Sequence, residues 1–504
     1  MMRKLCKIAG ILLLGMIFFH GCGEEKAAGP TLVVAQGADA KSLDPHATND
    51  QPSAAVAIQI YNTLVEQDND KNITPSLAES WTRPDARTTV FKLRRGVKFH
   101  NGEELKASDV KFTLERAMES PQVNFIVETV SEIETPDDYT VVIRTEKPFA
   151  GILSHLSHNA VSILSEKAVK AAGAAYGEHP VGTGPFKFES WQSGDRIVLS
   201  ANENYFAGPP AVKQLIFRNI PENAARAIAL EAGEIGIAYG IDVTDKERLM
   251  ANPKIDYYEG PSLSTTYVGF NARKAPLDDL RVRQAICSAI DIDPMIDAVF
   301  KAGAVKANSL IPPNVFGYSK TAKAWNRDVE KGKALLAEAG YPDGLKVSLW
   351  TNDNQQRRDI AVIMQAQLKD IGVDMSIEVV DWGAFLDLTG RGEHEMYILG
   401  WGTVTADADY GLAPLVHTDN MGGAGNRSFY SNPVVDSLLD EAKTETDEDK
   451  RAALYAKVQD IIQEEVPVYP IAYGNTSAAA LKTVKGFTLR ATGSHRLYGV
   501  SLAQ

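Results

Sequence analysis

Strand-like and helix-like runs alternate from Thr31 to the C-terminal region, with no long linker, repeat or low-complexity block between them. Such alternation produces mixed α/β layers in which helices cover the faces of a sheet with several parallel strand pairs. Short β-branched or aromatic runs bounded by turn residues predict strands at 31–36, 88–93, 140–145, 196–200, 214–219, 346–350, 375–380 and 396–401. A helix is predicted over 358–371, where Ile360, Met364, Leu368 and Ile371 share a face and Gly372 is the stop. Two more are predicted, over 329–339 behind the cap Asp328 and over 447–465 with Leu454, Val458, Ile461 and Ile462 as its stripe. The chain has 504 residues, and one hydrophobic core stops growing near roughly 250–300 residues. The lobes must therefore number two or three and be joined by short crossovers or interleaved segments.

Acidic residues outnumber basic ones by 65 to 52, for a net charge of −13. This balance excludes a nucleic-acid partner, which needs a basic face, and it repels an anionic membrane. The cysteines are Cys6, Cys22 and Cys287. With one of them in the body, disulfides and a Cys-ligated zinc cluster play no part in the fold. Cys287 lies in an apolar helical stretch and reads as a small buried hydrophobe.

Arg3, Lys4 and Lys7 precede an apolar run over 8–19. Twelve residues are too few to span a bilayer, which takes about 20, so the pattern reads as a secretory signal, residues 1–21. Its end, Phe19-His20-Gly21-Cys22, resembles the lipobox of bacterial lipoproteins. That resemblance implies cleavage before Cys22 and lipid attachment to its thiol, so the protein is expected outside the cytoplasm, lipid-anchored to the cell membrane. Residues 22–31 form a flexible tether.

The body carries a series of short motifs in order: TPSLAESW (74–81), FKLRRGVKFHNG (91–102), DVKFT (109–113), GTGPF (182–186), ALEAGEI (229–235), YVGFN (267–271), RVRQAI (281–286) before AID (289–291), EAGYPDG (338–344) and Gly400-Trp401. Taken together, these resemble the family 5 solute-binding proteins, the peptide- and nickel-binding group of bacterial ABC importers. The resemblance runs from about residue 32 to 480. It implies an α/β, two-lobed periplasmic-binding-protein-like fold of type II with an extra insert subdomain and a ligand cleft between the lobes. The expected divisions are 32–61, 187–266 and 476–504 for lobe I, 62–186 for the insert, and 267–475 for lobe II. It also implies a monomer that captures a peptide-like ligand, di- or oligopeptide or glutathione-like, and hands it to membrane permease subunits on closing. No cofactor, metal or catalytic residue is expected.

A zwitterionic peptide entering such a cleft must have both charges paired, because an unpaired buried charge is very costly. Arg357 and Arg358 open a helix after a polar loop, a natural anion site, and are candidates for a carboxylate clamp. In peptide-binding members the resemblance implies an amine-binding Asp a few residues after Gly-Trp. That position falls near Val404 here, and the variant WGTVTADADYGL is more similar to glutathione-binding members. Asp407 and Asp409 are candidate ligand residues, with turn or cap roles as the alternative. Trp401 is a candidate stacking platform, as is Trp382, for which core packing is the stronger alternative. Asn49 and Asp50 lie in the loop over 46–51, and Thr266 and Tyr267 at the crossover into lobe II. Alternatives with the same fold are binding of a nickel complex, haem or an opine. A hydrolytic enzyme finds no support in an HExxH, P-loop or GxSxG motif. His155 and His158, three apart, lack an evident third metal ligand.

Overall fold

The structure is a computed structural model and describes residues 29–503. The leader over 1–21, Cys22 and most of the tether lie outside the described residues. Thr31, taken above as the tether's last residue, already begins the first strand.

One large sheet runs through the molecule. Its strand order is Val373–Val379, Leu345–Thr351, Met396–Gly402, Ile255–Phe270, Val468–Leu481, Ile237–Tyr239, Thr31–Gln36, Gln214–Asn219, Arg196–Ala201, Phe186–Gln192, with Ala304–Lys306 pairing beside Val468–Leu481. The parallel pairs fall into two groups. Thr31–Gln36 pairs with Gln214–Asn219 and Ile237–Tyr239, and Leu345–Thr351 pairs with Val373–Val379 and Met396–Gly402. Each group carries its own helices and core. Leu32, Val34, Leu215 and Phe217 pack in one; Val282, Ile286, Leu349, Ile360 and Met364 pack in the other. The fold is thus the two-lobed type II arrangement.

The lobes are joined by the two longest strands, Ile255–Phe270 and Val468–Leu481, which run antiparallel through both. Their register breaks between Pro261 and Thr265, and again between Thr266 and Tyr267. Pro261 cannot donate to the ladder, so the break falls where pairing is weakest. The crossing pair is therefore irregular within 261–267.

A four-stranded antiparallel sheet, Ala78–Asp85, Thr88–Leu93, Thr140–Thr145, Val130–Asp137, forms a separate subdomain. Its core residues Phe91, Val110, Phe125 and Ile126 are continuous with Trp401, Tyr410 and Leu412 of the facing lobe. Gly182 and Gly184 seat this subdomain's return strand against the end of the helix Gln51–Ile60. The Gly184 N–H donates to the Ile60 carbonyl at 2.8 Å. A Cβ on Gly182 would stand 2.1 Å from that same oxygen, so the requirement for glycine here is close backbone approach.

Candidate functional site

The lobes meet through side chains on short loops. Asp50 caps the helix Gln51–Ile60, accepting from the Ser53 N–H at 3.3 Å. Its carboxylate also accepts from the Thr48 hydroxyl at 2.6 Å and, across the cleft, from the Trp382 indole N–H at 3.1 Å. Beside it, the Asn49 amide donates to the Tyr410 hydroxyl at 3.0 Å. On the insert, His158 Nδ1 accepts from the Ala160 N–H, so its Nε2 carries the proton and donates to the same Tyr410 hydroxyl at 2.9 Å. Burial holds His158 down to about 3, so it is neutral. With two donors on its oxygen, the proton of Tyr410 has no acceptor among the described residues.

Arg357 stands in the first turn of the helix Gln355–Leu368, capped by Asn354, which accepts from the Arg357 N–H at 3.1 Å. Its guanidinium donates to Asn352 Oδ1 at 2.9 Å and lies over the Trp382 ring at 5.4 Å. Among the described residues no carboxylate pairs with it, and burial presses its ionisation down to about 10. Here is a cation held in place, largely desolvated, and short of an anion. Arg358 points away, toward Glu222 at 3.6 Å and the Gln355 amide. The two arginines diverge, so only Arg357 faces Trp382.

The other candidates divide the same way. Asp407 caps the helix Ala408–Val416 and pairs bidentately with Arg451 at 2.7 and 2.8 Å, so its oxygens are already engaged. Asp409 is 3% exposed and lies 3.3 Å from His155 Nε2. Burial alone would raise its ionisation, but Lys443, His155 and Arg451 outweigh that and hold it at about 2. Asp407 therefore ties two helices of the second lobe together, and Asp409 ties that lobe to the insert, which favours a structural role for both over ligand contact. Trp401, 7% exposed, gives its indole N–H to the Tyr410 carbonyl at 2.8 Å and packs on that ring at 5.3 Å. It is core, whereas Trp382, for which core packing was the stronger expectation, spans the cleft. Tyr267 is buried against Tyr397 with an unpartnered hydroxyl. Thr266 is half-buried and, by strand alternation, faces the opposite side.

A cavity of about 60 Å³ lies where lobe I, the insert and the loop after Trp401 converge; Gln67, Ser157, His158, Thr405, Arg490 and Arg496 are among its walls. Ala406, left-handed at φ 57°, turns this loop, and its carbonyl accepts from the Phe316 N–H at 3.1 Å. The arginines escaped the sequence reading, although two of them flank a Thr-Gly-Ser turn over 490–496. A larger groove of about 540 Å³, beside Lys111, Glu115 and Ser131, is lined by the insert alone, so lobe closure cannot act on it. Among the described residues no group of three or more His, Cys, Asp or Glu is placed to hold a metal.

The family model for bacterial extracellular solute-binding proteins, family 5, matches residues 72–423. The chain is 33% identical over 485 residues to the glutathione-binding protein GsiB of Salmonella choleraesuis (strain SC-B67), covering 93% of this chain and 94% of that one. Among solved structures, it resembles the ABC transporter-associated periplasmic binding protein DppA from Helicobacter pylori in complex with peptide STSA. That match has a TM-score of 0.89 at 33% identity and covers 94% of this chain and 98% of the other. A dipeptide-binding protein from Pseudoalteromonas sp. SM9913, in complex with Met-Leu, superposes with a TM-score of 0.90 at 27% identity over 94% of this chain and all of that one. A family match over most of the body, with relatives aligned nearly end to end, places the cleft described above in a known setting: the chain belongs to the family 5 bacterial extracellular solute-binding proteins.

Proposed function

We propose that this protein is the extracytoplasmic solute-binding subunit of an ABC importer, capturing a peptide-like ligand between its lobes and delivering it to the membrane permease without chemical change. The observation that carries this reading is Arg357, a desolvated guanidinium with no carboxylate, supported by Asn352 and by a Trp382 ring whose indole reaches Asp50 on the other lobe. A ligand carboxylate completes that cation, and the Asp50–Trp382 and Asn49–Tyr410 contacts close over it. Closure is favoured by ligand only if both lobes touch it, and these pairs meet that condition. Val404 offers no charge where peptide-binding members hold the ligand amine, and the segment WGTVTADADYGL is more similar to glutathione-binding members, so the reading is a glutathione-like tripeptide, in keeping with the name of the relative from Salmonella.

The ligand residues we assign are Arg357, Trp382, Asn49, Asp50 and Tyr410, with Tyr267 beneath them. The lobe divisions we assign are those expected above (32–61, 187–266 and 476–504; 62–186; 267–475), supported by the register break within 261–267. We also assign a monomer, secreted with the leader 1–21 and anchored through a lipid on Cys22. Loss of membrane association in Cys22→Ala tests the anchor.

Native mass spectrometry of the protein as isolated tests the ligand. One added mass of tripeptide size supports the glutathione-like reading, and a heterogeneous set of short peptides supports a permissive cleft. Hydrolysis of a bound peptide by the purified protein, abolished by a cleft substitution, refutes a purely binding role.

A further inference from the structure

The cavity beside the cleft has a chemistry that the Arg357 clamp leaves unused. Two of its walls are the cations Arg490 and Arg496, and none is a carboxylate. The C-terminal loop that presents them is firmly built. The Arg490 N–H donates to His495 Nδ1 at 3.1 Å, and Gly493 turns the loop at φ 77° with its N–H on the Arg490 carbonyl at 3.0 Å. Gln59 ties it to the helix Gln51–Ile60, donating to the His495 carbonyl at 2.8 Å and accepting from the Leu497 N–H at 3.1 Å. The Ala491 carbonyl accepts from Leu263 N–H on the interlobe strand at 3.0 Å. This loop therefore sits against the irregular stretch of the interlobe strand.

The two guanidiniums share one nearby carboxylate, Glu66, with Asp68 farther off, and keep donors to spare. Arg496 reaches Glu66 Oε1 at 3.1 Å, but that oxygen also accepts from the Ser76 hydroxyl at 2.8 Å and the Asn62 amide at 3.4 Å, and the buried Arg496 Nε has no partner. Arg490 donates to the Gln67 carbonyl at 2.6 Å and, among the described residues, to no other acceptor through its guanidinium. Burial and the neighbouring Arg496 hold it down to about 10. From the facing lobe, Thr405 brings a hydroxyl that is 3% exposed and unpartnered. Two like charges side by side in a part-buried pocket repel, and a ligand anion between them offsets that cost.

A row of contacts joins this pocket to the clamp. His158 walls the pocket and holds Tyr410, Tyr410 holds Asn49, and Asp50 holds Trp382 beneath Arg357. We propose that Arg490, Arg496 and Thr405 form a second anion subsite at the far end of the cleft from Arg357, so that the ligand class is a peptide-like molecule with a carboxylate at each end, such as a γ-glutamyl peptide. The subsite rests on the reading of the cleft as a peptide site. It rejects peptides that bring only a free amine to that end.

Two probes test it on the full-length chain: glutathione, and the analogue whose γ-glutamyl α-carboxylate is an amide. The wild-type protein is expected to prefer glutathione roughly ten- to a hundredfold, the range for a hydrogen-bonded charge. Arg490→Gln, alone or with Arg496→Gln, is expected to bring the two probes to within about twofold while leaving the amide's affinity in place, which reports an intact cleft. Arg490→Gln alone breaks one bond to a backbone carbonyl and serves if the double variant does not fold. A wild type that holds both probes equally, a variant that keeps the preference, or a variant that loses both probes alike overturns the subsite. A wild type that binds neither overturns the peptide reading with it. Arg357→Gln, expected to weaken both probes equally, separates the clamp from the subsite.

Discussion

Arg357→Gln makes opposite demands on the empty and the liganded protein. Burial moves the ionisation of this guanidinium from 12.5 to about 10, which at about 1.4 kcal/mol per pH unit puts the cost of keeping the charge there at roughly 3–4 kcal/mol. The protein offsets part of this through one bond to Asn352 and the Trp382 face, each worth about 1 kcal/mol. An uncompensated remainder of about 1–2 kcal/mol stays with the empty cleft. Glutamine removes the charge and keeps an amide for Asn352, so the empty variant should be as stable as the wild type or slightly more so. The complex loses a charge-assisted pair, about 1.5–3 kcal/mol, or roughly ten- to a hundredfold in affinity. Calorimetric titration with glutathione and thermal melts of the empty protein read the two arms. Affinity within twofold of wild type refutes the clamp. A fall of several degrees in the melting temperature of the empty variant also refutes the reasoning, because it makes Arg357 a structural residue whose loss reaches the ligand indirectly.

Asp407→Ala breaks the bidentate pair with Arg451, whose side chain is 6% exposed, and should cost about 3–5 kcal/mol of stability in a denaturant titration. Ligand affinity measured well below the new midpoint should be unchanged, and a selective loss of affinity would return Asp407 to the ligand site. Tyr410→Phe removes a hydroxyl proton in the cleft that lacks an acceptor among the described residues, and should weaken glutathione binding by about 1 kcal/mol in the same calorimetric titration, with no change in salt dependence. The protein should also lose stability in mild acid. Burial holds His46, His100 and His495 at about 4 and His158 and His394 at about 3, whereas the unfolded chain takes up those protons near 6.5. Folded stability is therefore complete above pH 6.5 and falls below it by about 1.4 kcal/mol per pH unit for each histidine, several kcal/mol by pH 5.5. A urea midpoint that is the same at pH 7.5 and 5.5 would exclude this.

The elements legible in the sequence are those whose signal is local. The strands over 31–36, 88–93, 140–145 and 214–219 and the helix ending near Leu368 follow from runs of β-branched residues or from apolar spacing, and the structure places them within a few residues. The helix begins at Gln355 rather than 358 because Asn354 supplies the cap, which puts Arg357 and Arg358 inside the first turn. The crossover at Thr266 and Tyr267 follows from the resemblance, but the two long strands that make it are not among the runs the sequence marks as strands. Gly260-Pro261 interrupts one of them, and an interrupted run reads as a turn unless a partner strand on each side of the break is known.

The site divides along the same line. Arg357 was legible because a polar loop before a helix marks an anion site by itself, and the motif series carried the family. What the sequence could not weigh was competition among partners. Asp407 and Asp409 look like free carboxylates until Arg451 and His155, far away in the chain, are brought beside them. Trp401 and Trp382 look alike until one is packed on Tyr410 and the other is aimed at Asp50. Arg490 and Arg496, neighbours around one turn, share a pocket with Thr405 only when the C-terminal loop folds back over the helix Gln51–Ile60. Local pattern determined the elements and the family, because propensity and spacing act over a few residues. Tertiary structure alone decided which polar groups are spent on the fold and which are left over for a ligand, because a charge is free or satisfied according to its nearest partner in space.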